Sequence, residues 1–351
     1  MRVGGRAGEG DSGAPAMNTA RPADERMPLL FALGGSELLG SAVAAAASVE
    51  LAPLEERDFE RGEHRSRPLV PVRGRDVAIL HCVHGDLDGP SANDRLIRLW
   101  FFMAAVRDAG ARSVTVIVPY LPYSRQDRRT RARDSLGARS VAQHFEAAGA
   151  DRIVAIEPHS LAAFENAFRI EALALPLAPP VADWVASHRP DARLVVVSPD
   201  VGGTKRAQQL REVLARRLGT EPGLAFVEKR RSGGALSGGL LVGEVRDAQC
   251  LVIDDLVSTG TTLARAADAC RAGGARRLWV AAAHALLLPA AADTLAAAKF
   301  EQVLVTDSVP VPASLAHRLP LQVLGLGPYL GAVLRRLFCG GSVSELAGID
   351  G

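Results

Sequence analysis

The 351-residue chain has few cysteines, few lysines and no long apolar run. Its four cysteines (Cys82, Cys250, Cys270 and Cys339) are scattered and form no CxxC pair, which excludes a zinc ribbon and a disulfide framework as readings of the sequence. No window approaches the run of about 18 apolar residues that a membrane-spanning helix needs. We therefore expect a protein of the reducing cytoplasm without a membrane partner.

The charge balance gives no sign of a nucleic-acid partner. Lys and Arg total 41 against 39 Asp and Glu, for a formal net charge of +2, and no long basic stripe is present. Only three of the positive residues are lysines: Lys205, Lys229 and Lys299. Because the chain uses arginine wherever positive charge alone suffices, a lysine within a candidate motif indicates a specific role for that residue.

From Pro28 onward, short apolar runs alternate with amphipathic helical patterns, after a Gly-, Ala- and Arg-rich segment (1–27) that we expect to be a disordered extension. Nearly continuous runs of Val, Ile, Leu and Ala predict strands buried on both faces. These runs are 77–80, 113–119, 152–158, 193–199, 250–255, 278–285 and 302–308. Helix candidates are 93–110, 205–219 and 262–274, the first capped by Asn93 or Asp94 and ended by Gly110.

This alternation predicts an α/β fold with doubly wound, mainly parallel sheets. The length suffices for two domains, and the proline-dense stretch 176–184 predicts the connection between them. We expect domains at 28–175 and 176–351. Ligands of open α/β sheets bind beyond the carboxyl ends of the strands, so the polar loops there are the candidate sites.

The stretch LVIDDLVSTGTT (251–262) combines two carboxylates with a turn suited to an anion. Backbone N–H groups at a helix N-terminus hold phosphate, and the hydroxyl side chains add donors. Asp254 and Asp255 would repel a phosphate, so they should face another part of the same ligand, such as sugar hydroxyls or Mg²⁺. A ribose 5-phosphate fits both; an N-capping turn beside acidic residues is the plain alternative.

The segment resembles the phosphoribosyl-diphosphate-binding loop of type I phosphoribosyltransferases and of ribose-phosphate diphosphokinases, and by itself it does not separate the two. The resemblance implies two type I phosphoribosyltransferase-like domains. It also implies that ribose 5-phosphate is bound by seven residues: Asp254, Asp255, Ser258, Thr259, Gly260, Thr261 and Thr262. Thr261 stands where this loop often has a glycine.

Two further segments resemble the nucleotide site of the diphosphokinases. PYLPYSRQDRR (119–129) places a dense polar cluster directly after a strand, and arginine pairs bidentately with phosphate oxygens. FERGE (59–63) alone would be read as a polar hairpin, but in the family a similar segment reaches the ATP site of a neighbouring subunit. The resemblance implies an ATP site formed by Phe59, Arg61, Gly62, Glu63, Arg125, Gln126 and Asp127.

Two more segments concern the metal and the transferred group. Asp200, in VVSPDVGGTKRAQQL (196–210), ends a strand before a Gly-Gly pair, and its hard oxygen suits Mg²⁺. The family also places a metal-linked histidine at His159, usually after Asp-Leu, where this chain has Glu157 and Pro158. EKRR (228–231) with its Gly/Ser-rich continuation predicts a mobile loop over a phosphoryl group. The resemblance to the family implies that Lys229 and Arg231 are catalytic.

The order of these motifs resembles the ribose-phosphate diphosphokinases from about residue 28 to residue 346. The resemblance implies transfer of the β,γ-diphosphoryl group of ATP to O1 of ribose 5-phosphate, with Mg²⁺ as cofactor, for nucleotide biosynthesis. It also implies a homo-oligomer, either a hexamer or a dimer-based assembly, and a last helix that packs back on the N-terminal domain. Two rivals stay open, a type I phosphoribosyltransferase acting on a base and a non-catalytic paralogue that assembles with a true synthase.

Overall fold

The computed structural model describes residues 26–188, 190, 192–232 and 235–348, with the side chains of residues 229–238 outside the described part. Residues 1–25 of the expected N-terminal extension also lie outside it. Met27 does not belong to such an extension, because its side chain is buried and its sulfur lies 3.4 Å from that of Cys339. A search of the described helices finds none with the length and hydropathy of a membrane span.

The first half of the fold is a parallel sheet with the strand order β1-β4-β5-β6-β7. A separate antiparallel hairpin, β2–β3, stands beside it. In chain order the elements are β1 (Leu29–Ala32), α1 (Glu37–Ala47), β2 (Leu54–Asp58), β3 (His64–Pro68), β4 (Asp76–Leu80), α2 (Ala92–Asp108), β5 (Ser113–Val118), α3 (Gly137–Ala147), β6 (Arg152–Ile156), α4 (Leu161–Ala167) and β7 (Glu171–Leu175).

The second half is a larger sheet with the order β10-β9-β8-β11-β12-β13-β14, parallel except for the β9–β10 pair. Its elements are α5 (Ala178–His188), β8 (Leu194–Ser198), α6 (Thr204–Leu218), β9 (Gly223–Ser232), β10 (Ala235–Val242), β11 (Gln249–Val257), α7 (Thr261–Ala272), β12 (Arg277–Ala285), α8 (Ala291–Ala297), β13 (Gln302–Thr306), α9 (Ala313–Ala316), β14 (Leu321–Leu324), α10 (Gly327–Cys339) and α11 (Val343–Ala347).

These sheets confirm the predicted α/β class, and each predicted apolar run coincides with a strand. The apolar runs form strands because their side chains are buried on both faces, as in β8, where all five residues are buried. Helix α2 begins at a different cap from the one predicted. Ser91, not Asn93 or Asp94, is the N-cap, and the Asp94 side chain returns to the Ser91 N–H at 2.7 Å to close a capping box.

Two predicted loops are regular structure instead. The proline-dense stretch 176–184 is largely the first turns of α5, where Pro179 and Pro180 are tolerated because the first helical N–H groups need no partner within the helix. The stretch around EKRR is a β-hairpin, because β9 pairs with β8 on one side and with β10 on the other. The backbone at Lys229 and Arg231 is therefore strand, and the predicted movement of this stretch over a phosphoryl group stays a prediction.

A helix of the second half packs on a helix of the first. Gly327 and Gly331 of α10 lie against Ala42 and Ala46 of α1 so closely that an added Cβ would stand 2.5 Å from the alanine Cβ in each case. One hydrophobic cluster includes buried residues of both sheets and of both helices. The two halves therefore share a core, which holds the carboxyl ends of their strands in a fixed relation.

Candidate active site

The predicted phosphate turn lies at the carboxyl end of β11 and leads into α7. Gly260 adopts a left-handed conformation with φ +76, and an added Cβ would lie 3.0 Å from Leu295 Cγ. The hydroxyls of Thr259 and Thr261 are 3.0 Å apart. Gly260, the N-cap of α7, has no side chain that could cap the helix, and Thr261 N–H makes only a long contact of 3.4 Å to the Thr259 hydroxyl. The first backbone N–H groups of α7 therefore suit an anion in the turn. The conformation of this turn is compatible with the predicted binding of a phosphate, which stays a prediction.

The two neighbouring aspartates of β11 have opposite electrostatic environments. Burial, reinforced by the carboxylate of Asp255, raises the pKa of Asp254 to about 7. Burial also acts to raise the pKa of Asp255, but a hydrogen bond from His159 and the charge of Arg206 outweigh it and hold that pKa well below the ordinary value. Asp255 is thus the carboxylate of the pair that stays ionised more readily, and Asp254 is the one that binds a proton more readily.

His159 links this pair to the first half of the chain. Its Nδ1 lies 2.6 Å from Asp255 Oδ2, and this hydrogen bond raises the pKa of His159 although partial burial opposes it. The charges of Arg125 and Asp127 also act on His159. The structure therefore brings part of the predicted ATP segment, the predicted metal-linked histidine and the predicted ribose-binding aspartates into one region.

Asp200 lies after β8 and caps a short 3₁₀ turn, accepting a hydrogen bond from Gly203 N–H at 3.1 Å. Among the residues that the structure describes, no cluster of three or more potential metal-ligating side chains is found. Mg²⁺ usually keeps several waters and binds through one or two carboxylates plus substrate phosphates. Asp200 and His159 each offer a donor that would suit an ion arriving with a nucleotide, but among the described residues no hydrogen bond or ion pair joins the two, so their assignment to one metal site stays a prediction.

The rest of the RQDRR segment follows β5 in an irregular loop. Gln126 N–H donates to the carbonyl of Tyr123 at 2.8 Å, and an added Cβ at Gly137 would lie 2.4 Å from Gln126 Oε1. The side-chain oxygen of Gln126 therefore packs against the start of α3. Arg125 is exposed and Asp127 is half-buried, which leaves both available to a ligand.

The FERGE segment stands at the tip of the β2–β3 hairpin, in a 3₁₀ turn at Glu60–Gly62. Phe59 is 37% exposed, and the Arg57 guanidinium lies 5.1 Å from its ring centroid. Arg61, Gly62 and Glu63 are exposed. Among the described residues no hydrogen bond or ion pair joins this tip to Arg125 or His159, so the structure does not bring the two parts of the predicted ATP site together within one chain.

Lys229 and Arg231 lie on β9, where the Cα partners across the β9–β10 pair are Gly239 and Leu236. A register shift separates these two pairings. The side chains of both residues are outside the described part, so their catalytic roles stay predictions. Strand β9 is next to β8, the strand that leads to Asp200.

The sequence motifs indicated no functional role for three side chains around the aspartates: Arg206, His284 and Glu157, of which Glu157 stands out only as a departure from the family pattern. Arg206 Nη1 lies 3.3 Å from Asp254 Oδ1 and its Nε lies 2.8 Å from Glu157 Oε1. His284, buried in β12, lies with Nε2 3.1 Å from the Ile156 carbonyl oxygen, and burial lowers its pKa to about 4. Arg206 carried a detectable signal, since it follows Asp200 in the same quoted motif. His284 had none, because it lies inside an apolar run, as a buried core histidine would.

Known proteins resemble this chain over about 90% of its length, and they belong to the family that the motifs indicate. Residues 29–149 match the family model described as the N-terminal domain of ribose phosphate pyrophosphokinase, and residues 180–299 match the phosphoribosyl transferase domain. The chain is 33% identical over 320 residues to the ribose-phosphate pyrophosphokinase of a Nostoc species, covering 90% of this chain and 92% of that protein. The Hyphomonas neptunium protein of the same name is 32% identical, with coverages of 90% and 98%.

A solved structure agrees with these sequence relatives. The crystal structure of phosphoribosylpyrophosphate synthetase from Mycobacterium smegmatis superposes with a TM-score of 0.79 at 32% identity, covering 90% of this chain and all of that chain. Identity above 30% across nearly the full length of several relatives, with both domains matched in order, establishes the relationship. The chain belongs to the ribose-phosphate pyrophosphokinase family.

Proposed function

We propose that this chain transfers the β,γ-diphosphoryl group of ATP to O1 of ribose 5-phosphate, giving AMP and 5-phosphoribosyl 1-diphosphate for nucleotide biosynthesis. The observation that carries the proposal is the hydrogen bond between His159, which follows β6 of the first sheet, and Asp255 of β11 in the second sheet, beside the Gly260 turn. The charge of Arg125 also acts on His159. The aspartates and the Gly260 turn suit a pentose phosphate, and Arg125 suits the phosphates of a nucleotide. The relatives that the chain matches over 90% of its length are named ribose-phosphate pyrophosphokinases, and that name supplies the reaction that joins a nucleotide and a pentose phosphate.

The proposed binding mode follows the chemistry of each group. Residues from Ser258 to Thr262 hold the 5-phosphate with N–H and O–H donors, and the carboxylates of Asp254 and Asp255 accept the ribose hydroxyls. Arg125 and Asp127 contact the nucleotide, while Gln126 supports the loop from its place against Gly137. The anomeric hydroxyl then attacks the β-phosphorus through O1 and loses its proton to solvent, while the bond from that phosphorus to the α,β-bridging oxygen breaks and AMP departs with that oxygen.

Catalysis of this transfer rests on positioning and charge neutralisation rather than on a covalent intermediate. Mg²⁺ bound with ATP would supply positive charge to the phosphate oxygens, and Asp200 and His159 are the protein groups proposed to hold it. Lys229 and Arg231 on β9 are proposed to neutralise the charge of the diphosphoryl group in the transition state of its transfer. We place the reaction in the cytoplasm, which suits four cysteines that are free thiols in the structure.

We further propose a homo-oligomer in which a second subunit completes the ATP site with Phe59, Arg61, Gly62 and Glu63. The exposed hairpin tip, unconnected to Arg125 among the described residues, supports this arrangement. A shared site would tie activity to assembly.

The deciding experiment is a direct assay. Purified protein with Mg-ATP and ribose 5-phosphate should release AMP. The sugar product should carry the former β-phosphorus of ATP on O1, and ³¹P NMR should detect that new phosphorus signal. A nucleobase with phosphoribosyl diphosphate should release no diphosphate; release there would favour a phosphoribosyltransferase. Absence of AMP in the presence of ribose 5-phosphate would favour the non-catalytic paralogue.

A further inference from the structure

Arg206 connects the sugar-side aspartate to the other half of the molecule. It leaves α6 of the second half, and its guanidinium lies between Asp254 Oδ1 at 3.3 Å and Glu157 Oε1 at 2.8 Å. The three side chains are only 12%, 20% and 11% exposed. A buried charged group that lost one partner would be costly, so this arrangement is sensitive to each of its members.

Glu157 is held in an unusual conformation at the end of β6. Its φ is +42, a value rare for a residue with a side chain, and it precedes Pro158, which further restricts its backbone. Its N–H donates to the Leu175 carbonyl at 2.8 Å, and its Oε2 accepts from Leu177 N–H at 2.6 Å. Backbone strain of this kind persists where the surroundings enforce it, often at functional sites.

Two contacts at Asp254 fix the orientation of that carboxylate. Its Oδ1 accepts from Arg206 and also from the N–H of Asp255 at 2.9 Å. The neighbouring Asp255 carboxylate repels it, and the Arg206 charge offsets that repulsion. Without the guanidinium, two adjacent and buried carboxylates would remain with less positive charge between them, and Asp254 would turn or bind a proton.

From this geometry we propose that Arg206, held in place by Glu157, is a positioning residue that fixes the Asp254 carboxylate for the ribose hydroxyls. The inference deepens the proposed function and rests on it, because it concerns the same sugar site. Lysine cannot replace this arginine, since one ammonium does not reproduce the planar fork that serves Glu157 and Asp254 together.

The test uses the full chain with Arg206→Lys, Glu157→Gln and the matched control Arg211→Lys. Arg211 lies on the same helix but pairs at the surface, with Glu221 and with the Pro222 carbonyl at 3.0 Å. Calorimetric titration with ribose 5-phosphate, without ATP, should show Arg206→Lys weakened about 10- to 100-fold, as expected for loss of a charged hydrogen bond. Its KM for ATP should stay within about twofold of wild type, and Arg211→Lys should match wild type in both measurements.

A double-variant cycle separates positioning from a general structural role. If Arg206 acts through Asp254, then Arg206→Lys added to Asp254→Asn should lower kcat/KM for ribose 5-phosphate little further. Independent, multiplying losses would overturn the proposal. Wild-type binding by Glu157→Gln would overturn it as well, and that variant gives the answer if Arg206→Lys does not fold by circular dichroism. Failure of the wild type itself to bind ribose 5-phosphate would refute the proposed function instead.

Discussion

At the residue scale, the environment of each side chain sets its chemistry more than its identity does. Asp254 and Asp255 are adjacent on β11, yet one pKa is raised and the other is lowered. The difference comes from partners, since His159 donates to Asp255 while Asp254 has the Arg206 contact at the longer distance of 3.3 Å. The sequence showed two carboxylates but not this division between them.

Asp254→Asn should change how stability depends on pH. The folded pKa of Asp254 is raised from 3.8 to about 7, so between these values the folded state holds a proton that the unfolded chain has lost. Wild type therefore loses free energy of unfolding as pH rises through this window, and the Asn variant lacks that loss. Urea titrations should show the variant gaining on wild type by on the order of 1–3 kcal/mol from about pH 4 to 7. A difference independent of pH would contradict the raised pKa.

Gly260→Ala tests the turn that is proposed to hold the sugar phosphate. Gly260 has φ +76 and its Cβ position lies 3.0 Å from Leu295 Cγ, so alanine adds backbone strain and a clash at the proposed phosphate site. Gly219, with φ +69 and nothing within 4 Å of its Cβ position, is the matched control. Both alanine variants should lose on the order of 1–2 kcal/mol of stability, but only Gly260→Ala should raise KM for ribose 5-phosphate about tenfold or more. Equal KM values for the two variants would argue against the turn as the phosphate site.

At the scale of elements, apolar strands were predictable and polar ones were not. The runs at 113–119 and 250–255 became β5 and β11 because burial on both faces leaves a continuous apolar signal. Strands β2 and β3, with the sequences LEERD and HRSRP, are half-exposed and have no such signal. Glu157 and Arg206 are 49 positions apart, and no local pattern reveals a contact of that separation. Long-range pairing of polar groups therefore had to come from the structure.

Gly331→Ala tests the close packing of α10 on α1. In an unpacked helix this change stabilises by roughly 1 kcal/mol because alanine favours the helix. Here the new Cβ would lie 2.5 Å from Ala46 Cβ, and we expect a net loss on the order of 1–3 kcal/mol. Adding Ala46→Gly should recover part of that loss by restoring the space. A stabilised Gly331→Ala protein in chemical denaturation would show that the helices are not in tight contact.

At the scale of the whole molecule, both halves contribute residues to the proposed site, and the core that they share fixes the position of one half relative to the other. His159 and Glu157 follow β6 of the first sheet, while Asp254 and Asp255 end β11 of the second. Direct contacts join them across this boundary: His159 to Asp255, and Glu157 through Arg206 to Asp254. The hairpin tip with Glu63 is the part of the proposed site that one chain leaves unconnected among the described residues.

Subunit mixing tests whether that tip acts on a neighbouring molecule. Glu63→Ala and Lys229→Ala should each abolish most AMP formation while keeping the fold, because one removes a proposed nucleotide contact and the other a proposed transition-state charge. In a mixed oligomer, a Glu63→Ala chain still has its own Lys229, and a Lys229→Ala neighbour lends it Glu63. Co-refolding equal amounts should restore roughly a quarter of the sites if subunits pair at random.

The control for this mixing experiment combines Lys229→Ala with Arg231→Ala. Both changes remove a group that the same subunit contributes to the shared site. That mixture should stay inactive, since no combination of its subunits rebuilds a site with both cations and a neighbour's Glu63. Sedimentation of wild type should show an assembly whose dilution lowers specific activity. A fully active monomer, or a Glu63→Ala mixture that recovers nothing, would mean that the hairpin tip is no part of a neighbour's ATP site.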